Sequence, residues 1–184
     1  MVLIMNKIKK YKKIVILGSA GSGKTTLANY MGKKTNIEVI HLDKIFWLPN
    51  WEVRPEEQWK TTIDELVAKD SWIMDGNYIN TLEERLKNAD LVIMLDIKTS
   101  ICVFSVIYRT FIGHFIRRKD LSDGCHDAFD DKFKDFIEWT KMFKKAYFPK
   151  LIDLCMKYDN IDLKLFRSRK SARKFVERMV LLDE

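Results

Sequence analysis

A glycine-rich stretch near the start of the chain has the residue types and spacing of a phosphate-binding loop. Gly18, Gly23, Lys24 and Thr25 satisfy G-x-x-x-x-G-K-[ST], and the motif follows the apolar run at 14–17 and precedes a helix-forming segment. Glycines let backbone N–H groups converge on phosphate oxygens, and a helix N-terminus adds partial positive charge. The motif therefore predicts a P-loop that holds a polyphosphate. Its predicted residues are Gly18, Ser19, Ala20, Gly21, Ser22, Gly23, Lys24, Thr25 and Thr26.

The lysine and threonine of this motif predict how the terminal phosphates and a metal ion are held. Lys24 is expected to bridge the terminal phosphates, and the Thr25 hydroxyl is expected to complete the coordination shell of Mg²⁺. A carboxylate that ends a neighbouring strand orients the metal in such proteins, and Asp43, Asp75 and Asp96 each follow a predicted strand. Each of the three could instead cap a helix, and the two interpretations are evenly balanced for Asp96.

Short apolar runs alternate with longer amphipathic segments along the chain. The predicted strands are 14–17, 38–42, 72–74, 91–95 and 161–166. The predicted helices are 25–34, 55–68, 81–87, 100–114, 129–147 and 171–181. Thr81 and Glu84 have the spacing of a capping box for the third helix. This alternation predicts an α/β fold of the P-loop NTPase type, a single domain over 1–184 with a five-stranded parallel sheet and helices on both faces.

Composition limits the class of protein. The 184 residues have a net charge of +7, and no apolar run approaches the length of about 18 residues that spans a membrane. The N-terminal segment lacks the order of a secretory signal, and three widely spaced cysteines match neither a disulfide framework nor a metal knuckle. A cytoplasmic protein is therefore expected.

Basic residues are concentrated at 7–13, 117–119 and 167–174, which predicts an anionic partner. A polyphosphate ligand already meets that expectation. Nucleic-acid binding stays possible but is not favoured, because the sequence has neither zinc-finger spacing nor an RNP-type aromatic motif.

The segment around Asp43 has the residue types of an acceptor site. A carboxylate at hydrogen-bond distance orients an acceptor hydroxyl and takes its proton, and Asp43 is the candidate for this role. Trp47 and its aromatic neighbours in 41–51 predict either a pocket for a planar or apolar acceptor or simple packing under a loop. An acceptor that carries a phosphate would require an arginine clamp, for which Arg54 and Arg85 are available.

Two further features are interpreted as structural. The aromatic stripe in 129–147 follows a period of 3.6 residues, which favours core packing over a base-stacking platform. His41, His114 and His126 show no metal-ligand spacing and lie beside no plausible nucleophile, so they receive no functional role.

Several motifs, in their order along the chain, resemble one family. These are the P-loop, HLDKIFWLPNW at 41–51, WIMDGNY at 72–78, RLKNADLVIMLD at 85–96 and RRKDLSDGC at 117–125. Together they resemble the bacterial DNA topology modulation proteins (FlaR-like), a branch of the P-loop nucleoside and nucleotide kinases related to adenylate kinase. The resemblance covers nearly the whole chain.

This resemblance implies a role for particular residues. Asp75, followed by Gly76, matches the aspartate that ends the third strand and holds the metal water. Asp43 matches the position that faces the phosphate acceptor in related small-molecule kinases. A small helical lid over roughly 109–128 is implied, and its arginines, which close over the triphosphate, are Arg109, Arg117 and Arg118.

The sequence departs from the family pattern after Gly124 and Cys125. The family continues there with Pro-Glu and a base, whereas this chain has His126, Asp127 and Ala128. The acid is kept and the base is lost, so the role of that base does not carry over to this chain.

The residues and the resemblance together predict an ATP- and Mg²⁺-dependent phosphotransferase of a small acceptor, a nucleoside or nucleotide. Two alternatives remain at this point. One is an ATP-binding regulator that acts on DNA without small-molecule kinase activity, supported by the net charge of +7. The other is a simple NTPase switch.

Overall fold

The fold is built around a five-stranded parallel sheet, seen in a computed structural model that describes residues 11–113 and 129–181. The spatial order of the strands is β2-β5-β1-β6-β7. Their bounds are β1 (Lys13–Gly18), β2 (Val39–His41), β5 (Trp72–Asp75), β6 (Leu91–Leu95) and β7 (Asp162–Phe166). Two further strands of two residues each, β3 (Trp47–Leu48) and β4 (Glu52–Val53), form an antiparallel hairpin. All five predicted strands of the main sheet are therefore confirmed.

Helices connect the strands of the sheet. In the described ranges they are α1 (Lys24–Thr35), α2 (Leu42–Phe46), α3 (Glu56–Ala68), α4 (Leu82–Asn88), α5 (Thr99–Gly113), α6 (Asp131–Ala146), α7 (Phe148–Cys155) and α8 (Arg169–Leu181). The six predicted helices are confirmed, while α2, α7 and the β3–β4 hairpin were not predicted. None of the helices in these ranges has the length and apolar character that crossing a bilayer requires.

The sheet is covered on both faces because its strands are apolar throughout. In β1, Ile14 and Ile16 point to a core cluster that includes α1 and α8, whereas Val15 and Leu17 point to a second cluster that includes α3 and α6. Successive side chains of a strand point to opposite faces, so four consecutive apolar residues supply both cores. This arrangement confirms the predicted P-loop α/β architecture.

The carboxyl ends of three neighbouring strands meet at one edge of the sheet. His41 of β2 and Ile16 of β1 are both register partners of Asp75, the last residue of β5. Ligands of open α/β sheets bind beyond this edge, where the connections diverge to the two sides.

One local prediction is wrong. Thr81 occupies the N-cap position of α4, but its side chain makes no capping hydrogen bond and its hydroxyl is directed instead to the carbonyl of Tyr78 at 3.4 Å. The turn before α4 is organised by Arg85, as described below, so the capping box does not form.

Candidate functional site

The predicted P-loop lies between β1 and α1, as its sequence context requires. Lys24 begins α1, and its Nζ donates hydrogen bonds to the carbonyls of Gly18 and Ser19, each at 3.0 Å. Gly23 occupies the N-cap position and has no side chain that could cover the first amide groups of the helix. Those amides and the Lys24 ammonium supply the positive potential that phosphate oxygens require.

Gly21 allows helix α5 to pack directly on the loop. Its φ is +68°, and a Cβ atom there would lie 2.3 Å from the carbonyl oxygen of Cys102 in α5. A side chain at this position would therefore force the loop and the helix apart. The absence of a side chain at Gly21 thus allows the P-loop to lie close to α5, the helix that carries Arg109.

Arg169 of α8 forms hydrogen bonds with the backbone of the P-loop. It lies in the first turn of α8 and donates to the carbonyls of Ser22 at 3.1 Å and Gly21 at 2.5 Å, and to the Ser105 hydroxyl at 2.7 Å. One guanidinium thus joins the P-loop to α5 and α8. In the sequence Arg169 is only one of the basic residues at 167–174, so this contact was not predicted.

Asp75 and Thr25 meet at the edge of the sheet. The Thr25 hydroxyl donates to Asp75 Oδ2 at 2.8 Å, and the carboxylate is 5% exposed. Its other oxygen, Oδ1, lies 2.7 Å from Nδ1 of His41, whose Nε2 lies 3.2 Å from Asn29 Oδ1. His41 therefore holds the carboxylate in place, although no role was predicted for it from the sequence.

The donors at this point fit a magnesium ion. A hydroxyl and a carboxylate oxygen are the hard ligands that Mg²⁺ prefers, and Mg²⁺ takes only one or two protein carboxylates beside phosphates and water. Within the described ranges no group of three or more His, Cys, Asp or Glu side chains could hold a metal by itself. Thr25 and Asp75 are the residues that would hold the ion.

The D-G-N-Y turn after β5 connects the metal edge to the P-loop. Asn77 accepts a hydrogen bond from the Gly18 N–H at 3.2 Å and donates another to the Gly18 carbonyl at 3.0 Å. Gly76 has φ +136°, and a Cβ atom there would lie 2.9 Å from Leu42 Cβ. The turn therefore packs tightly against the start of α2, which carries Asp43.

Arg85 organises this turn from inside the protein, which corrects its predicted role. The side chain is 0% exposed and donates to the carbonyls of Gly76 (2.9 Å), Asn77 (2.6 Å), Tyr78 (3.0 Å) and Thr81 (3.3 Å). Burial lowers the pKa of Arg85 to about 10, so the guanidinium stays charged at neutral pH. A cation committed to four backbone carbonyls cannot clamp an acceptor phosphate.

Asp43 lies in the first turn of α2 and is paired with a tyrosine. Its Oδ1 accepts a hydrogen bond of 2.7 Å from the Tyr78 hydroxyl. Burial and the Asp43 carboxylate raise the pKa of Tyr78 well above its ordinary value, so the phenol remains a donor. Tyr78 has φ +28°, an uncommon conformation for a residue with a side chain. The turn held by Arg85 thus directs a hydroxyl at one carboxylate oxygen.

The charges of the two halves of the site interact. Burial lowers the pKa of the Lys24 ammonium, the carboxylates of Asp43 and Asp75 act to raise it, and Arg109 acts to lower it further. Lys24, which is predicted to bind phosphate, therefore lies close enough to Asp43 and Arg109 for their charges to interact.

These groups line a single open cleft of about 1750 Å³. Its described lining includes the P-loop, Asp43, Trp47, Trp51 and Arg109. The aromatic stripe of α6 divides between two roles: Phe143 is 2% exposed in the core, whereas the half-buried Phe133, Phe136 and Trp139 face the cleft. The interpretation of this stripe as core packing is thus correct for its C-terminal part only.

Four other predicted residues lie apart from the cleft or outside the described ranges. Arg54 does not line the cleft and donates from Nε to the Ile45 carbonyl at 2.8 Å, which fixes the β3–β4 hairpin to α2. Asp96 is ion-paired with Lys144 at 2.7 Å and is not a lining residue. Arg117 and Arg118 lie outside the described residues, as does most of the predicted lid.

Comparison with known proteins agrees with the architecture. No family model matches the sequence. The uncharacterized protein YqaC of Bacillus subtilis (strain 168) is 26% identical over 137 residues, which cover 73% of this chain and 74% of that protein.

Solved structures extend the comparison to almost the entire chain. Shikimate kinase from Acinetobacter baumannii in complex with shikimate superposes with a TM-score of 0.58 and 16% identity, over 94% of this chain and 92% of that chain. Shikimate kinase from Bacteroides thetaiotaomicron gives a TM-score of 0.54 and 17% identity, over 95% of this chain and 99% of that chain.

The fold is therefore the shikimate kinase-like P-loop fold, a five-stranded parallel sheet flanked by helices. The resemblance to the DNA topology modulation proteins stays a prediction, because it rests on the motifs alone.

Proposed function

We propose that the protein is an ATP- and Mg²⁺-dependent phosphotransferase that acts on a small hydroxyl- or phosphate-bearing acceptor, a nucleoside or nucleotide. The observation that carries the proposal is that Lys24 and Asp43 line the same cleft and lie close enough for their charges to interact. A carboxylate positioned by a tyrosine is suited to orient an acceptor hydroxyl and to take its proton. We also propose that the protein is a member of the FlaR-like kinases and that residues of roughly 109–128 form a lid.

Each residue has a chemical task in this proposal. Lys24, the N-terminal amides of α1 and Arg109 neutralise the oxygens of the transferred group. Asp43 orients the acceptor hydroxyl through the oxygen that Tyr78 does not occupy, and takes its proton. A bond forms between the acceptor oxygen and the γ-phosphorus while the bond from that phosphorus to the β,γ-bridging oxygen breaks, and ADP leaves with the electron pair. Mg²⁺, when bound, neutralises negative charge on the phosphates.

Charge and cysteine chemistry also support the proposal. Three of the basic residues at the start of α8, Arg169, Lys170 and Arg173, line the cleft, so an anionic nucleotide accounts for part of the positive charge. Cys102 and Cys155 are free, buried thiols, which suits the cytoplasmic location that we propose.

The test is a screen of nucleosides, nucleoside monophosphates and other phosphorylatable metabolites for stimulated ADP release. We expect at least one acceptor to stimulate release, and Lys24→Ala to lower that turnover by at least about 100-fold, since two or more charged hydrogen bonds are lost. Asp43→Asn should keep nucleotide binding and lose transfer. Salt-dependent DNA binding together with no stimulated turnover would favour a DNA-acting regulator instead.

A further inference from the structure

We propose that the acceptor is an uncharged molecule with a planar ring and a free hydroxyl, of the nucleoside class, and not a phosphorylated or carboxylated alcohol. This inference rests on the proposed function and narrows it. It follows from the groups that line the Asp43 side of the cleft, and from the two arginines that are bound elsewhere.

The arginines required by an anionic acceptor are committed elsewhere. Arg85 is fully buried on four backbone carbonyls, and Arg54 donates to the Ile45 carbonyl and does not line the cleft. These are the two arginines that the sequence offered for an acceptor phosphate. Their positions remove the clamp that a monophosphate would need.

The groups that do line this side have the opposite charge. Between α2 and the D-G-N-Y turn, the described lining residues are Asp43, Trp47, Trp51, Gly76, Asn77 and Tyr78. This set holds one carboxylate and no cation, while the cations of the cleft lie on the P-loop and on α5, α6 and α8. A phosphate or carboxylate next to Asp43 would place like charges together, which costs affinity.

Aromatic rings form the rest of this wall. Trp47 and Trp51 are half-buried, with ring centroids 5.4 Å apart at 77°. Tyr78 packs against Phe46, with ring centroids 4.6 Å apart. Partly exposed rings bind a planar base by stacking, and one carboxylate is sufficient to bind a sugar hydroxyl.

The test compares matched acceptors with the wild-type protein. Adenosine, guanosine, cytidine and uridine are each measured against their own 5′-monophosphates, and shikimate serves as a carboxylated alcohol, with ATP-dependent ADP release as the readout. We expect one nucleoside to have a kcat/KM at least about tenfold above that of its monophosphate and above that of shikimate. A monophosphate or shikimate preferred over every nucleoside would overturn the acceptor class while leaving the phosphotransferase intact. No stimulated release with any acceptor would overturn both.

Two variants test which residues bind the acceptor. Trp51→Leu should raise the KM for the nucleoside roughly 5- to 150-fold, the range of one lost stacking contact, while the ATP affinity measured by titration stays within about twofold. Arg54→Gln should leave the ratio of nucleoside to monophosphate turnover unchanged. A selective loss of monophosphate turnover in Arg54→Gln, or an unchanged nucleoside KM in Trp51→Leu, would contradict the assignment.

Discussion

Replacing Arg85 by methionine should destabilise the protein and weaken ATP binding at the same time. Methionine keeps much of the buried apolar volume but donates no hydrogen bond. The carbonyls of Gly76 and Asn77 therefore lose the hydrogen bonds of 2.9 and 2.6 Å that the guanidinium donates to them. A buried carbonyl without a partner costs about 1–3 kcal/mol. Relief from burying a cation offsets part of that loss, which leaves an expected destabilisation of about 2–4 kcal/mol.

The assay is urea denaturation, followed by ATP titration under native conditions. Arg178→Met is the matched control, because Arg178 is an exposed residue of α8 and its loss should change the free energy of unfolding by no more than about 0.5 kcal/mol. ATP affinity should fall in Arg85→Met and not in the control, since the turn that Arg85 holds positions Asp75 and Asn77. If Arg85→Met unfolds like its control, the buried guanidinium does not organise the turn.

Three further predictions concern single side chains of the site. Tyr78→Phe removes the donor to Asp43 and should lower acceptor turnover about tenfold or more, with ATP affinity unchanged in a titration; a parallel fall in ATP affinity would show that the phenol acts on the fold instead. Gly21→Ala places a Cβ atom 2.3 Å from the Cys102 carbonyl oxygen and should weaken ATP binding at least about tenfold. An affinity equal to that of the wild-type protein would mean that α5 can move away from the loop at little cost. Asp75→Asn should raise the Mg²⁺ concentration for half-maximal activity by about tenfold or more, and an unchanged Mg²⁺ dependence would remove Asp75 from the metal site.

The elements of the fold that could be predicted are those with a strong local pattern. The strands β1 and β6 are continuous apolar runs, and the P-loop motif fixes the start of α1 through its glycines and lysine. The β3–β4 hairpin has two-residue strands joined by a turn in which Asn50 and Trp51 have positive φ. Pro49 and Asn50 are ordinary turn residues, but strands of two residues are too short to show an alternating pattern, so the hairpin was not predicted.

The site was only partly predictable because its contacts link distant segments. His41 touches Asp75 because β2 pairs with β5 in parallel, and the sequence alone does not state which strands are neighbours. The same holds for Asn77, which bonds to Gly18 across the sheet edge. Arg85 was misjudged because an arginine in an amphipathic segment is ordinarily exposed, and only its burial shows that it serves the backbone.

The destination of the γ-phosphate tests the central claim most directly. ATP labelled with ³²P at the γ position is incubated with Mg²⁺, an acceptor that stimulates ADP release, and either the wild-type protein or Asp43→Asn, and the label is separated into phosphorylated acceptor and inorganic phosphate. We predict that the wild-type protein places the label on the acceptor, and that Asp43→Asn binds ATP equally well but loses this product. Label found only as inorganic phosphate, with none on the acceptor, would contradict phosphoryl transfer.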